Sequence, residues 1–356
     1  MGLKFTFQNK RISGVLTVLP KREVTFEEEI ANYNFSQAQS MKLKLAMGYN
    51  KHRIVEEGTN ISEMCVFGIH HLLDEGFLKK EDISALILVT QSPEHFMPST
   101  SHIIHGKLEL GTDVLCMDIN QGCAGFIIGL LQSYMLLEQP SIKKVVLMNA
   151  DVLSRKVSKR DRNSNPLVGD AACITIVERS SESCAINAVV NMDGRGAYVL
   201  QIPAGGFKIP STSETAEMKE DANGNFRSLD NLVMKGDEVF NFVQTEVPPL
   251  IEEILAMSGK KPEDIDWYLF HQPNKFMLSK LADKIGIPRE KMPANIVENF
   301  GNASGASIPT CISFNLGDEA LTNTYNVCFS GFGVGLTWAA IEQQLGKLII
   351  NKIIYY

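Results

Sequence analysis

The residue with the clearest chemical potential in this sequence is Cys123, in residues 118–126, where an apolar run ends in a glycine-bounded turn before an apolar helix. The turn puts Cys123 at the predicted helix N-terminus, where unpaired N–H groups and the helix dipole favour the nucleophilic thiolate. Gly122 and Gly125 let the backbone approach a bound group closely. A buried structural cysteine is an equally good interpretation of this segment alone.

Three segments in the second half of the chain could supply polar groups to such a cysteine. His271 follows a predicted strand, at the end of the strand where ligands usually bind in α/β proteins. Asn302 lies among small residues at 299–307, from which its amide could project into a pocket. The glycine-rich segment 330–336 predicts a loop with N–H groups suited to an oxyanion, without the lysine of a phosphate-binding loop. Each segment also has a purely structural interpretation.

The elements that must position these residues alternate in type along the chain. Apolar runs predict strands at 85–89, 114–119, 144–148, 267–270 and 325–329, and helical patterns lie at 101–110, 124–137, 238–257, 275–285 and 308–316. This order predicts an α/β fold with a buried, largely parallel sheet and two similar halves. We place the halves at residues 1–195 and 233–356, joined by a flexible connection at 196–232.

Composition excludes several classes of protein. The 356 residues are 44% hydrophobic and carry a net charge of −7, which offers no general attraction to nucleic acid or anionic lipid. The most apolar segment, 123–137, is interrupted by Gln132 and Ser133, and the first residues lack the apolar block of a signal peptide. We therefore expect a soluble, cytoplasmic protein without a membrane span. The seven cysteines form no Cys-x-x-Cys pair, and we expect neither a disulfide framework nor a metal site.

Taken together and in this order, these segments resemble the ketoacyl-acyl-carrier-protein synthase III family, condensing enzymes of the thiolase superfamily. The resemblance rests on Gly-Cys-Ala-Gly at 122–125, His-Gln-Pro-Asn at 271–274, Gly-Asn-Ala-Ser at 301–304 and Gly-Phe-Gly-Val-Gly at 331–335. It extends from about residue 12 to 342 and includes residues 92–99, 169–172 and 234–240. It implies a thiolase-like five-layered α-β-α-β-α fold with two similar halves, usually in a homodimer.

The resemblance also implies a mechanism. Cys123 would take an acyl group from acyl-CoA or an acyl carrier protein, and His271 and Asn302 would stabilise the enolate formed when malonyl on acyl carrier protein loses CO₂. The backbone N–H groups of Cys123 and Val334 would hold the acyl-transfer oxyanion. The product would be a 3-oxoacyl chain for fatty-acid, lipid or polyketide synthesis, with no metal and no cofactor beyond the thioester substrates.

Further residues match positions around the family's active site. Met97 and Phe332 match the acyl pocket, and Gly236, Phe240 and Asn274 match the pantetheine tunnel. The segment that matches the carrier-binding surface comprises Gln272, Pro273, Asn274, Lys275 and Phe276, with Lys280 and Lys284 on the following helix. The early tryptophan that often stacks on CoA is absent, because the only tryptophans are Trp267 and Trp338, so the donor thiol stays open.

Other functions remain open at this level. A related acyltransferase or secondary-metabolite condensing enzyme would keep Cys123 and use another acceptor, without malonyl decarboxylation in the case of the acyltransferase. A Cys-His hydrolase would pass the acyl group to water, and a non-catalytic subunit would only bind thioesters. A thiolase needs a second active-site cysteine, and Cys328 lies inside a strand pattern.

Overall fold

The computed structural model describes residues 2–182 and 184–356. The strands are β1 Leu3–Gln8, β2 Lys10–Leu19, β3 Glu23–Thr25, β4 Lys51–Arg53, β5 Ile83–Val89, β6 Leu115–Ile119, β7 Lys144–Asp151, β8 Ala171–Arg179, β9 Ala185–Met192, β10 Leu200–Gln201, β11 Lys219–Glu220, β12 Phe226–Arg227, β13 Val233–Met234, β14 Trp267–Phe270, β15 Thr324–Gly333, β16 Thr337–Gly346 and β17 Ile350–Tyr355. The α-helices are α1 Phe26–Glu29, α2 Gln37–Met47, α3 Ile61–Asp74, α4 Thr100–Lys107, α5 Gly125–Leu136, α6 Gly236–Ser258, α7 Lys275–Ile285, α8 Ile296–Phe300, α9 Ser307–Leu316 and α10 Glu319–Thr322.

Two mixed sheets and three layers of helices form the molecule. One sheet has the order β17-β2-β8-β7-β5-β6 and the other has the order β1-β9-β16-β15-β14. Helices α5 and α9 lie between the sheets, α3 and α4 cover the outer face of the first, and α6 and α7 cover the outer face of the second. The five-layered α/β arrangement implied by the resemblance is confirmed.

The sequence explains the central layer. Helix α5 carries apolar side chains on nearly all sides, among them Phe126, Ile127 and Leu130, all fully buried. A helix of this kind is stable only when it is enclosed on every side, and the two sheets provide that enclosure. The N-terminus of α5 is thereby fixed where the carboxyl ends of β5 and β6 meet β15 of the other sheet.

Both sheets draw strands from both ends of the chain. Strand β17, the last in the sequence, pairs with β2, whereas β1 and β9 complete the sheet that contains β14 to β16. The predicted halves therefore exchange strands rather than forming separate bodies. The connection at 196–232 contains β10 and the short β11–β12 hairpin, and its predicted flexibility stays a prediction.

Three predictions about the strands need correction. The sheet was expected to be largely parallel, but antiparallel pairs such as β2–β8, β7–β8 and β15–β16 outnumber the parallel ones in the two main sheets. Strand β6 was expected to be buried, but it is the edge of its sheet, and Leu115 is 41% exposed. The glycine-rich segment at 330–336 was expected to be a loop, yet β15 continues through Gly333 because β16 pairs with it up to Thr337. An edge strand and a glycine-rich strand end both depend on partners that are distant in sequence.

Candidate active site

Cys123 lies in the short turn between β6 and α5. Gly125 N–H donates to Gly122 O at 2.6 Å, which closes the turn, and Ala124 is the residue before the first helical one. Cys123 is only partly buried, whereas Cys65, Cys173, Cys311 and Cys328 are fully buried. Its position just ahead of the helix agrees with the sequence prediction.

The surroundings of Cys123 do not hold it as a thiolate. Burial raises the pKa of the thiol, and the backbone N–H groups of Val334 and Cys123 and the Ser304 hydroxyl oppose that rise only in part. The backbone donors act in the direction that the sequence analysis expected, but desolvation outweighs them. These N–H groups nevertheless converge at the sulfur, where the oxyanion of an acyl transfer would develop.

Gly333 makes the close approach between Cys123 and the second sheet possible. A Cβ atom at position 333 would lie 2.7 Å from both Cβ and Sγ of Cys123, a separation that packed side chains do not tolerate. The end of β15 can therefore reach the sulfur only as glycine. The glycine signal in the sequence reports this contact rather than a flexible loop.

His271 follows β14 and is 2% exposed. Its Nδ1 lies 2.8 Å from Ser307 Oγ, and its ring makes an edge contact with Phe332 at 5.8 Å between centroids. Burial lowers the pKa of His271 to about 3, with the Ser304 carbonyl acting in the opposite direction. The imidazole is therefore neutral at physiological pH, and a neutral ring has one N–H to donate.

Asn302 is held by hydrogen bonds on its backbone and on its side chain. Its N–H donates to Leu167 O at 2.7 Å, and its carbonyl accepts from Gly169 N–H at 3.2 Å. Its Oδ1 accepts from Ser304 N–H at 2.9 Å, which fixes the orientation of the amide. Because the oxygen is engaged in this way, the Nδ2 protons are the ones that can be offered to a ligand.

The three predicted catalytic side chains share one neighbour, Ser304. Its hydroxyl acts on the Cys123 thiol, its N–H donates to Asn302, and its carbonyl lies beside the His271 ring. Ser304 has a φ of 53°, an uncommon conformation for a residue other than glycine. The structure thus brings Cys123, His271 and Asn302 together around a residue that the sequence analysis did not single out.

The sequence analysis also missed Asp151, which supports the turn that carries Cys123 through its contacts with residues 90–92. Asp151 Oδ1 accepts from Gln91 N–H at 2.8 Å, Ser92 Oγ at 3.0 Å and Thr90 Oγ1 at 3.1 Å. The Gln91 side chain in turn packs against Gly122, where a Cβ atom would meet its Oε1. Burial raises the pKa of Asp151 to about 7. The only hint in the sequence was an acidic residue at the end of an apolar strand.

The residues predicted to line the acyl pocket occupy different environments. Phe332 is 1% exposed and contacts both Phe270 and His271, next to the reacting groups. Met97 is 82% exposed, beside Phe96, whose ring lies 5.0 Å from that of Phe207. In this single chain, Phe332 is adjacent to His271, whereas Met97 lies on the surface.

The predicted carrier-binding segment divides into exposed and buried parts. Lys275, Phe276, Lys280 and Lys284 are exposed on α7. Gln272 is fully buried, its Nε2 donating to Phe270 O and Pro293 O at 2.9 Å each, so direct contact between Gln272 and a docked carrier is excluded in this conformation. The prediction for Gln272 is corrected accordingly: its amide ties the segment after β14 to the chain ahead of α8.

Other predicted binding residues lie near the start of α7. Asn274 caps this helix, its Oδ1 accepting from Met277 N–H at 2.8 Å, and Pro273 precedes it. Phe240 stacks on Phe276 with centroids 5.7 Å apart, and Gly236 is the first residue of α6. Contact with pantetheine stays a prediction for Gly236, Phe240 and Asn274.

Residues 2–182 and 184–356 contain no helix that is long and apolar enough to cross a membrane. Among the same residues, no three His, Cys, Asp or Glu side chains are grouped as metal ligands.

Two family models match the segments that carry this site. Residues 117–194 match the model described as 3-oxoacyl-[acyl-carrier-protein] synthase III, and residues 255–344 match the model of its C-terminal part. The first range includes Cys123, and the second includes His271, Asn302 and Val334.

Whole-chain comparisons agree. The chain is 33% identical to a beta-ketoacyl-[acyl-carrier-protein] synthase III of Clostridium perfringens, over 82% of this chain and 87% of the relative. It is 29% identical to a putative 3-oxoacyl-[acyl-carrier-protein] synthase 3 of Campylobacter jejuni, over 99% of both. A crystal structure of a 3-oxoacyl-(acyl-carrier protein) synthase from Burkholderia xenovorans LB400 superposes with a TM-score of 0.92 at 33% identity, covering 100% of this chain and 99% of the other.

Proposed function

The chain belongs to the 3-oxoacyl-[acyl-carrier-protein] synthase III family, and we propose that it condenses an acyl group held on Cys123 with malonyl carried by an acyl carrier protein. It is thus an acyltransferase of the condensing type, serving fatty-acid or polyketide synthesis. The observation that carries the residue roles is the convergence of Cys123, His271 and Asn302 on Ser304.

In the first half-reaction the Cys123 sulfur attacks the carbonyl carbon of an acyl thioester. The new S–C bond forms first and gives a tetrahedral oxyanion, and the bond to the donor sulfur then breaks. The thiol proton leaves with the released CoA or carrier thiol. The N–H groups of Cys123 and Val334, which already converge at the sulfur, stabilise the oxyanion between these events. Because the resting group is a thiol, its proton must leave as the attack proceeds.

In the second half-reaction malonyl thioester loses CO₂, and the electron pair of the broken bond moves into an enolate. The neutral imidazole of His271 and the Nδ2 of Asn302 donate to the enolate oxygen. The enolate carbon then attacks the acyl carbonyl on Cys123, and the C–S bond breaks to release the Cys123 thiolate. This thiolate takes up a proton from water to restore the resting thiol. Ser307 supports this role when its hydroxyl donates to His271 Nδ1, because the ring proton is then on Nε2.

The test uses a panel of acyl-CoA and acyl-carrier donors, with the mass added at Cys123 as the readout, followed by malonyl carrier and measurement of CO₂. We expect a single acyl adduct that malonyl carrier discharges as a 3-oxoacyl product. The Cys123→Ala variant should accept no acyl group, and Cys328→Ser, which changes a buried cysteine in β15, should behave like the wild type.

The remaining outcomes separate the alternatives. An adduct that transfers to another acceptor without CO₂ release would indicate an acyltransferase, and one that water removes rapidly would indicate a hydrolase. A chain that forms no adduct with any donor would be a thioester-binding subunit. Each of these results would overturn the proposed condensation.

The exposed face of α7 is the proposed docking surface for the acidic carrier protein. Lys280 Nζ lies 5.9 Å from the centroid of the exposed Phe276 ring, and Lys275 is paired with Glu298 at 3.1 Å. The surface therefore combines lysine side chains with an exposed aromatic ring. Such a surface suits an acidic partner with a small apolar patch. Charge reversal at Lys280 and Lys284 should raise KM for the carrier substrate, and an unchanged KM would remove this assignment.

A homodimer is the proposed assembly. Strand β6 is at the edge of its sheet and offers unpaired backbone groups to a second chain. Phe96, Met97 and Phe207 are also exposed, and no side chain among residues 2–182 and 184–356 buries them. Sedimentation analysis tests this: a monomer at micromolar concentration would contradict it. The cytoplasmic location remains a prediction.

A further inference from the structure

The position of Asn302 depends on a short segment of the first half of the chain. Leu167 O accepts from Asn302 N–H at 2.7 Å, and Gly169 N–H donates to Asn302 O at 3.2 Å, so that Val168 and Asn302 form a parallel bridge. Any movement of residues 167–169 therefore moves the backbone that carries the Asn302 amide.

His52 lies directly behind this bridge and is 3% exposed. Its Nδ1 is 2.5 Å from Val168 O, and its Nε2 is 3.4 Å from Glu29 Oε2. A carbonyl and a carboxylate both require a proton on the facing nitrogen, and only the imidazolium form has a proton on each. A Cβ atom at position 301 would lie 2.8 Å from His52 Cβ, so the ring's residue packs tightly against the chain next to Asn302.

The contacts of Glu29 complete a buried polar chain. Tyr33 OH donates to Glu29 Oε2 at 3.3 Å, and Asn165 Nδ2 donates to Tyr33 OH at 3.0 Å. Burial by itself would lower the pKa of His52, but Glu29, the Val168 carbonyl and Asp170 together outweigh it and raise that pKa. Burial would likewise raise the pKa of Glu29, and His52, Asn165 and Tyr33 together reverse this to a lowering. Both directions describe an ion pair.

The other ionisable groups around His52 leave this pair intact. They are Tyr49, Lys51, Arg53, Asp161, Asp170 and Glu298. Lys51 and Arg53 are both paired with Glu23, and Glu298 is paired with Lys275. The carboxyl of Asp170 is bound by Val55 N–H and by Ser154 and adds to the raised pKa of His52. Glu29 is therefore the direct counterion.

We propose that the Glu29–His52 ion pair positions Asn302 for the decarboxylation half-reaction, acting through the Val168 carbonyl and the bridge to Asn302. This inference rests on the proposed function of Asn302 as an enolate donor. Glu29 and His52 touch no reacting atom in this arrangement and are positioning residues.

The proposal predicts a pH dependence with a definite sign. The ion pair is complete below the raised pKa of His52 and is lost as pH rises through it, since deprotonation leaves a nitrogen lone pair facing the Glu29 carboxylate. Decarboxylation should then decline on the alkaline side, while acyl transfer to Cys123, which does not use Asn302, should not decline with it.

The experiment compares the wild type with Glu29→Gln and with Glu27→Gln, a matched change on the same helix at a side chain that pairs with Lys44 on the surface. Malonyl decarboxylation and acylation of Cys123 are measured separately from pH 5.5 to 9. Amide exchange is followed by mass spectrometry on peptides that contain Gly169 and Asn302. Amide exchange of the wild type is also measured across this pH range. This measurement requires no variant, so the proposal can be tested even if Glu29→Gln folds poorly.

We expect Glu29→Gln to lower decarboxylation about tenfold, less than the roughly 10²- to 10³-fold effect of removing an oxyanion donor. Acylation and the Glu27→Gln variant should stay at wild-type levels, and protection of the Asn302 amide should fall in Glu29→Gln and in the wild type at high pH. Unchanged protection and unchanged decarboxylation in Glu29→Gln would overturn the proposal. If no variant and no wild type releases CO₂, the proposed function fails, whereas the exchange data still decide the structural coupling.

Discussion

Two buried histidines of this molecule have different charge states, His271 being neutral and His52 a cation, and their contacts explain the difference. His271 faces the hydroxyl of Ser307 and the ring of Phe332, and burial lowers its pKa to about 3. His52 is equally buried but faces Glu29, which raises its pKa despite burial. Desolvation disfavours the charged form in both, and a facing carboxylate decides the outcome.

The contrast also separates their effects on stability. The neutral, buried His271 lowers the free energy of unfolding as pH falls below its unfolded pKa of about 6.5, since the unfolded chain then binds more protons. His52 does the reverse, because its contribution is present at low pH and is lost as pH rises through its raised pKa. His271 is thus a neutral hydrogen-bond donor, whereas His52 is a cation that donates to the Val168 carbonyl.

The largest effect that distinguishes the two histidines should come from His271→Ala. Removing this donor should lower the rate of malonyl decarboxylation by about 10²- to 10³-fold. Acylation of Cys123 by an acyl donor should continue, because it depends on backbone N–H groups. Release of ¹⁴CO₂ from labelled malonyl carrier measures the first, and the mass of the acyl adduct measures the second. Decarboxylation at more than about a third of the wild-type rate would be inconsistent with a donor role.

A smaller effect should follow from giving His271 the kind of partner that His52 has. Ser307→Asp places a carboxylate at Nδ1 and should raise the pKa of His271 by about 1–3 units. Decarboxylation should fall about tenfold, because the added negative charge opposes the enolate. NMR titration of the imidazole measures the shift.

Ser307→Asn is the matched control, since asparagine has nearly the same shape as aspartate but carries no charge. It should leave the pKa of His271 low. If Asp and Asn at position 307 gave the same titration, the contrast between the two histidines would have a cause other than the facing carboxylate.

The fold was accessible from the sequence where local pattern and tertiary environment agree. Helix α7 and strand β14 have the predicted bounds, because the amphipathic and apolar periods there match their packing. Strand β6 was predicted as buried because it is apolar, but its place at the sheet edge follows from the order of strands. The exchange of β1, β9 and β17 between the sheets has no local signal at all.

The candidate site divides in the same way. Cys123, His271 and Asn302 were identifiable because their motifs are recognisable in order along the chain. Ser304 and Asp151 were not, since their importance lies in contacts between distant segments. The sequence indicated the backbone donors that favour the Cys123 thiolate, but it gave no sign of the desolvation that outweighs them and raises the thiol pKa.

The smallest effect on activity should come from Asp151→Asn. This change tests how a buried ionisable group behaves when no oppositely charged side chain faces it. Burial raises the pKa of Asp151 to about 7, so the folded chain binds the extra proton between about pH 4 and 7. The free energy of unfolding should therefore fall with rising pH in this window, by up to about 1.4 kcal/mol per pH unit, and Asp151→Asn should remove that slope. Urea unfolding at several pH values measures it, with the exposed Asp74→Asn as control. Activity should change less than about tenfold, because Asp151 is linked to Cys123 through Gln91 and Gly122 and by its charge, which is one of the smaller influences on the thiol. If the free energy of unfolding of Asp151→Asn still fell with rising pH, the buried proton would belong to another carboxyl. Asp151 could then not serve as the example of burial without a counterion with which the two histidines are compared.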